Sequence, residues 1–273
     1  MANYKIEGRL TVPTGGWAIS ALETTGGLSA LVTIPAGDYY LTTSSGAATS
    51  SLCSTLATLL NASALGSTYT VALDDTEDSA TGKITITSSS SGFIVYWTNS
   101  ATGDDLRDVL GFTGDTADSI GTTATGAEQA EYLWLPNTHR TNALSPEPAS
   151  VTYDMGAEES DYTITVAPGG QSKRLVYNRR FVENLESEHI LGSKMWKALE
   201  VTVNESLQRF WEQVIGDNGF PIRLHPDRSA DTVYWTWVID GDGTNFNPSP
   251  VVPNWYGAKS LWRFRWGLRK LVS

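Results

Sequence analysis

The chain has 273 residues, with 19 Lys and Arg against 30 Asp and Glu, three His, one Cys and ten Trp. A hydrophobic share of 40% suffices for a packed core and excludes disorder of the whole chain. The net charge of −11 excludes a cationic nucleic-acid clamp, although negative walls suit a channel through which DNA passes without adhering. One thiol cannot form an internal disulfide. Met1–Gly8 has no apolar core of signal-peptide length, and no apolar run is long enough to span a bilayer. The expectation is a soluble protein made in the cytoplasm, with no membrane contact.

At roughly 100–200 residues per domain, the length suits two domains or one large all-β domain. Charge and tryptophan divide unevenly. Residues 1–130 carry 4 basic and 13 acidic side chains, a net −9, and two Trp; residues 131–273 carry 15 and 17, a net −2, and eight Trp. Between them, Gly114–Ala130 is a Gly/Thr/Ala/Asp tract with almost no large apolar residue, which reads as a linker or long surface loop. The expected domains are therefore 1–125, small and α+β, and 126–273, mainly β with one helix.

In chain order, Tyr4, Ile6, Leu10 and Val12 alternate with Lys5, Glu7, Arg9 and Thr11, as on a half-buried strand. Leu28–Ile34 and Tyr39–Thr42 follow as strands, divided by Pro35-Ala-Gly37. Leu52, Leu56, Leu59 and Leu60 fall at helical spacing behind Thr49, Ser50 and Ser51 as candidate caps. Strands at Tyr69–Leu73, Lys83–Thr87 and Phe93–Trp97 come next, then a helix Asp104–Leu110 stopped by Gly111.

In the second half, Val151–Tyr153, Tyr162–Val166, Arg174–Phe181 and Trp196–Val203 read as strands, with Pro168-Gly-Gly170 as a turn. Leu207, Phe210, Trp211, Val214 and Ile215 form a continuous helical stripe. Thr202-x-x-Glu205 is a candidate capping box at its start, and Gly216 and Gly219 mark its end. Phe220–His225 and Thr232–Ile239 are strands, and Gly241–Asn254 is a loop. In the final strand Trp262, Phe264, Trp266 and Leu268 alternate with Arg263, Arg265, Gly267 and Arg269. The aromatic face belongs in a core. The three arginines either pair with carboxylates of a neighbouring subunit or face solvent.

Catalytic and metal motifs are not found. His139, His189 and His225 have no metal spacing, and neither a Gly-x-Ser-x-Gly elbow nor a phosphate loop occurs. Cys53 sits near the buried side of a helix, as an inert hydrophobe. Asp240-Gly-Asp242-Gly-Thr-Asn245 opens like a calcium loop but has Val251 where the bidentate Glu belongs, so a polar turn is favoured. Asp74-Asp75-Thr-Glu77-Asp78 reads as a solvated hairpin turn. Glu158-Glu159-x-Asp161 suggests a hydrolase acid/base pair, but adjacent carboxylates on a strand point to opposite faces, so the spacing gives no reason to pair them. Trp235 and Trp237 share a strand face; a sugar platform and a core both produce that pattern, and the core is favoured. No enzymatic activity, cofactor or metal is expected.

The run from Phe210-Trp211 through Gly216/Gly219, Phe220-Pro-Ile-Arg-Leu and Pro226-Asp227 to the Trp-rich strand and Leu268-Arg-Lys-Leu-Val resembles structural proteins of tailed-bacteriophage tails. The likeness is to the tail-tube and distal-tail (tube-to-baseplate adaptor) group and covers about Tyr132 to Ser273. It implies a β-sandwich or barrel of tail-tube type flanked by one helix, stacked as hexameric rings around a DNA channel. Ile34-Pro-Ala-Gly-Asp-Tyr-Tyr, the Leu-rich helix and Asp105-Leu-Arg-Asp-Val-Leu-Gly-Phe112 are similar to a small structural module of virion proteins. The resemblance implies a virion location, assembly in the bacterial host cytoplasm, other tail proteins as partners, and DNA passing during ejection without specific binding. No catalytic residue comes with it. Arg263, Arg265 and Arg269 are the candidate subunit interface; Phe210, Trp211, Trp262, Phe264 and Trp266 are the candidate core.

Overall fold

The structure is a computed structural model that describes residues 4–41, 51–75, 80–97, 103–114, 121–135, 150–166, 172–216, 219–225, 227–228, 233–239, 246–251, 256–266 and 268–270. It is mainly β with few helices, built from several antiparallel sheets, none of which closes into a barrel among the described strands.

The N-terminal alternation does not give one strand. It splits into β1 (Lys5–Glu7) and β2 (Leu10–Val12), which belong to different sheets. The break comes at Gly8 and Arg9, whose N–H groups donate to Tyr132 O (2.7 Å) and Gly219 O (2.8 Å) instead of a strand partner. A Cβ on Gly8 would lie 2.8 Å from Val214 Cγ2, so only glycine lets the chain cross so close to that side chain.

The first half continues with β3 (Trp17–Glu23), β4 (Ser29–Ile34), β5 (Gly37–Tyr39), α1 (Leu52–Ala62), β6 (Tyr69–Leu73), β7 (Ile84–Ser88), β8 (Phe93–Tyr96), α2 (Gly103–Val109) and β9 (Thr123–Thr125). β3 escapes the sequence pattern because Ala18, Ser20 and Leu22 blur its alternation, yet Trp17, Ile19 and Ala21 all point into the core. Ser51 caps α1, accepting from Ser54 N–H at 3.0 Å, and Leu52, Cys53, Leu56 and Leu60 are buried.

Gly111, with φ +75°, ends α2, and its carbonyl accepts from Glu128 N–H at 2.9 Å. That contact corrects the linker reading of Gly114–Ala130. In its described part, 121–130, β9 pairs with β7, Ala130 N–H donates to Gly82 O (2.9 Å), and Gln129 and Ala130 are buried. The small residues serve close approach: a Cβ on Gly126 would already lie 3.0 Å from Gly111 O and Leu110 O.

The second half comprises β10 (Leu133–Trp134), β11 (Ser150–Val166), β12 (Ser172–Leu191), α3 (Gly192–Met195), α4 (Leu207–Gly216), β13 (Ile222–His225), β14 (Trp235–Ile239), β15 (Ser249–Pro250), β16 (Leu261–Trp266) and β17 (Leu268–Lys270). They form a five-stranded sheet, β10-β1-β13-β14-β17, and a four-stranded sheet, β11-β12-β16-β15. Phe210, Trp211 and Val214 of α4 share a core with residues of both sheets.

Three further expectations change. Trp196–Val203 is not a strand, because side chains take its backbone donors: Gln208 Oε1 accepts from Lys197 N–H (3.2 Å), Glu205 from Val201 N–H and Glu128 from Val203 N–H (2.8 Å). The Thr202/Glu205 capping box is replaced by Ser206, whose Oγ accepts from Arg209 N–H at 3.3 Å, while Glu205 pairs with Lys194 at 2.8 Å. The short strands 151–153, 162–166 and 174–181 are parts of the long β11/β12 hairpin. Glu158, Glu159 and Asp161 interrupt the apolar pattern of the first strand, and Glu183, Asn184 and Glu186 that of the second, so neither reads as continuous.

Both cores take residues from either side of position 125/126. The five-stranded sheet is a wall shared by two cores. Leu133 and Leu135 enter the first core and Trp134 the second. Tyr4 and Ile6, from the extreme N-terminal segment, likewise lie in the second core.

Candidate functional site

β1 is buried on both faces. Ile6 lies in the second core, so period-2 alternation puts Lys5 and Glu7 on the opposite face, toward the first half. In the cross-strand register Lys5 stands opposite His225 and Glu7 opposite Arg223, which places four polar residues on one side of the wall. Lys5 Nζ pairs with Asp75 of the loop after β6 and lies 3.9 Å from Glu7 Oε1; His225 Nε2 lies 3.3 Å from Glu7 Oε2. Lys5, Glu7 and His225 are fully buried. This corrects the strand reading that placed Lys5 and Glu7 on a solvent side, and the reading of Asp75 as part of a solvated turn. Composition alone does not indicate that both faces of a strand are covered.

Around this cluster the two halves are joined by polar contacts. Arg223 Cζ sits between the Tyr40 ring (3.7 Å) and the Tyr234 ring (4.3 Å), while Tyr40 OH donates to Pro221 O at 2.9 Å. Burial raises the Tyr40 phenol above its ordinary value, against the pull of Arg223 and Arg9. Gln129 and Asn204 exchange side chain-to-backbone bonds at 2.9 and 3.0 Å, and Tyr132 N–H donates to Gln213 Oε1 at 3.2 Å. So many fixed polar contacts hold the halves in one arrangement. The contacts of the cluster tie β1 to β13 and to the loop after β6.

A second buried carboxylate lies inside the first half. Burial alone would raise Glu23, but donation from Ser67 N–H (2.8 Å), Tyr69 OH (2.9 Å) and Gly66 N–H (3.1 Å) outweighs it and holds the carboxyl below its ordinary 4.5. Burial and the Glu23 charge push the Tyr69 phenol far up. A lowered carboxyl stabilises the fold above its unfolded value and loses that contribution as pH falls through the folded one. The unfolding free energy lost in Glu23→Gln is therefore expected to be largest at neutral pH and to shrink below about pH 4.5, a trend urea titrations at stepped pH will read.

The aromatic residues expected in the core, Phe210, Trp211, Trp262, Phe264 and Trp266, are all buried in the second core. Trp211 meets Phe264 and Trp266 edge-on at 5.3 and 5.7 Å, and Trp266 meets Trp134 at 5.5 Å. Arg263 and Arg265 lie exposed on the outer face of β16. Arg269 does not join them: β17 has left for the five-stranded sheet, where Arg269 stands opposite Val238. The expected single strand therefore ends at Trp266, and Arg269 belongs to a different strand from Arg263 and Arg265. Trp237 is fully buried, and Trp235 packs at the margin of the same core. Asp240, Asp242 and the rest of 240–245, His139, and the Pro168-Gly-Gly170 turn lie outside the described residues; further along the expected loop, Ser249–Pro250 forms β15 against β16. Among the described residues, no group of His, Cys, Asp and Glu is arranged to hold a metal. No described helix is long and apolar enough to cross a membrane.

Sequence reasoning missed the hairpin. β11 and β12 pair from Ser150↔Glu188 to Val166↔Ser172, with irregularities at Met155/Glu158 and Asp161/Tyr162. β16 covers β12 only over Leu185–Leu191. Beyond that, 154–166 and 172–184 are a two-stranded arm to which no third described strand is hydrogen-bonded. Thirteen residues per strand extend about 40 Å. A comparison with protein-family models, with curated proteins and with solved structures found no match to this chain.

Proposed function

We propose that the chain is a non-enzymatic virion structural protein of a tailed bacteriophage, a self-assembling ring subunit at the distal tail, between tube and baseplate. Its second half would then be a tail-type β-sandwich flanked by α4, and the ring would line or continue the DNA channel. The observation that carries this reading is the β11/β12 arm. An isolated two-stranded ribbon is marginal in water, and its strand edges are open templates for pairing. An arm this long is accounted for if neighbouring copies cover it. The rigid polar joint between the halves supports the same reading, because a ring subunit must transmit load without hinging. The net charge of −11 would let DNA slide past.

Within the same class the alternative is the repeating tail-tube subunit. Copy number per particle separates the two: one ring needs few copies and a tube needs many. The carbohydrate-module alternative is weakened by Trp237, whose ring has no exposed face to stack on a sugar. Negative-stain microscopy and light scattering on the purified chain test the proposal. Closed rings of defined mass are the expected result; a monomer at every concentration would end it.

A further inference from the structure

We infer that the open edge of β4 pairs antiparallel with β4 of a second copy, about a two-fold axis at Leu31. This does not rest on the ring reading, because such an isologous contact joins two chains, or two rings face to face. The sheet order β4-β3-β8 leaves β4 at one edge. Glu23 N–H donates to Leu28 O at 2.8 Å, so these two residues form a hydrogen-bonded pair of the β3/β4 ladder. By alternation the backbone groups of Ala30, Val32 and Ile34 also turn toward β3. Those of Ser29, Leu31 and Thr33 therefore point outward, and no described group is hydrogen-bonded to them. Open edges are ordinarily protected by a charge, a proline or a bulge. Ser29–Ile34 has none of these, and its register with β3 is continuous from Trp17↔Ile34 to Leu22↔Ser29. Leu31 is 69% exposed, and Leu28, just before the strand, 41%.

Charge and register select the partner. The chain carries −11, so two copies approach best where charge is missing. Between Glu23 and Asp74 the single charged residue is Asp38, which Arg9 (3.3 Å) and Thr11 (2.7 Å) hold on the β2/β5 ribbon. That stretch contains β4 and also α1, which packs against it, so the strand edge and its flank are both free of charge. Pairing β4 with itself about Leu31 keeps each face of the sheet on its own side. Leu31 then meets Leu31 of the second copy, and Ser29 meets Thr33, all on the outer face. On the core side Ala30 meets Val32 and Leu28 meets Ile34. The outward-pointing residues become the hydrogen-bonded pairs, so each free donor of one edge finds a free acceptor of the other. Every apolar side chain lies opposite an apolar one.

The test uses the full-length chain and a short bismaleimide that bridges two thiols. Cys53 is buried, so the thiol of Leu31→Cys is the accessible one. Leu31→Cys should couple to itself and run at double mass on a denaturing gel. Ser29→Cys and Thr33→Cys should couple to each other when mixed and poorly when alone, because like positions then lie about 13 Å apart along the strands. In sedimentation velocity, Leu31→Lys should weaken pairing of the chain at least about tenfold, since a lysine is the usual protection of an open edge. At low concentration it should melt with wild type, because position 31 is exposed. Equal association of wild type and Leu31→Lys, or Ser29→Cys that couples to itself as readily as to Thr33→Cys, would overturn this inference. Rings in which Leu31→Cys fails to couple would overturn it and leave the ring proposal standing. Coupled pairs that never form rings would do the reverse, and a chain monomeric at every concentration would overturn both.

Discussion

Replacing Lys5 with Met is expected to lower the unfolding free energy by about 3–5 kcal/mol, the usual cost of leaving a buried charge without its counter-ion. Lys5 pairs with the buried Asp75 and lies 3.9 Å from Glu7, so its loss removes a cation from a site closed to water in which His225 still faces Glu7. Conversion of the pair to Lys5→Met/Asp75→Leu removes both members of the strongest contact. It should recover more than half of the loss, as apolar replacement of buried ion pairs commonly does. Urea unfolding followed by tryptophan fluorescence measures all three chains. The cluster sits where the halves meet, so Lys5→Met should also broaden the transition or divide it, as the two cores lose cooperativity. Equal stability for wild type and Lys5→Met would mean that the cluster contributes nothing to the joint.

Trp211→Ala should cost a similar about 3–5 kcal/mol, by a different mechanism. Trp211 touches Phe220, Phe264 and Trp266, and so ties α4 to β16 at the centre of the second core. Its removal opens a cavity that rigid aromatic neighbours cannot fill, and edge-to-face contacts are lost in addition to buried area. Trp211→Phe keeps one ring and should lose roughly half as much. Trp235→Ala, at the core margin, should lose less than about 2 kcal/mol. Thermal melts with near-ultraviolet circular dichroism will rank the three. A Trp235→Ala loss as large as that of Trp211→Ala would show that the core is not centred on α4 and β16.

Both effects arise in places that differ in how far the sequence reveals them. The Trp211 core is legible because Leu207, Phe210, Trp211 and Val214 keep helical spacing, and Trp262, Phe264 and Trp266 keep strand spacing. Each pattern needs one covered face, and one covered face is what a local period reports. The ionic cluster is illegible for the converse reason. Lys5 and Glu7 alternate with apolar residues as on any half-exposed strand, and only distant contacts, at Asp75 and His225, cover their side. Trp196–Val203 misleads in the same way: its apolar residues suggest a strand, but Glu128, Glu205 and Gln208, distant or beyond its end, bind its backbone first.

What the sequence by itself determined is the set of locally coded features. These are the helix Leu52–Ala62 with its Ser51 cap, the Gly111 stop, the amphipathic α4, the aromatic face of β16, and the charge imbalance between the halves. Tertiary structure alone decided the rest. It split the first and last strands between sheets, made β1 and β10 a wall between two cores, packed residues 121–130 of the Gly/Thr/Ala tract against the first half, and extended the charged segments into one arm. The physical reason is range. Caps, stripes and alternation act over a few residues, whereas covering a second face or extending a strand depends on partners tens to hundreds of residues away, whose arrival leaves no periodic trace.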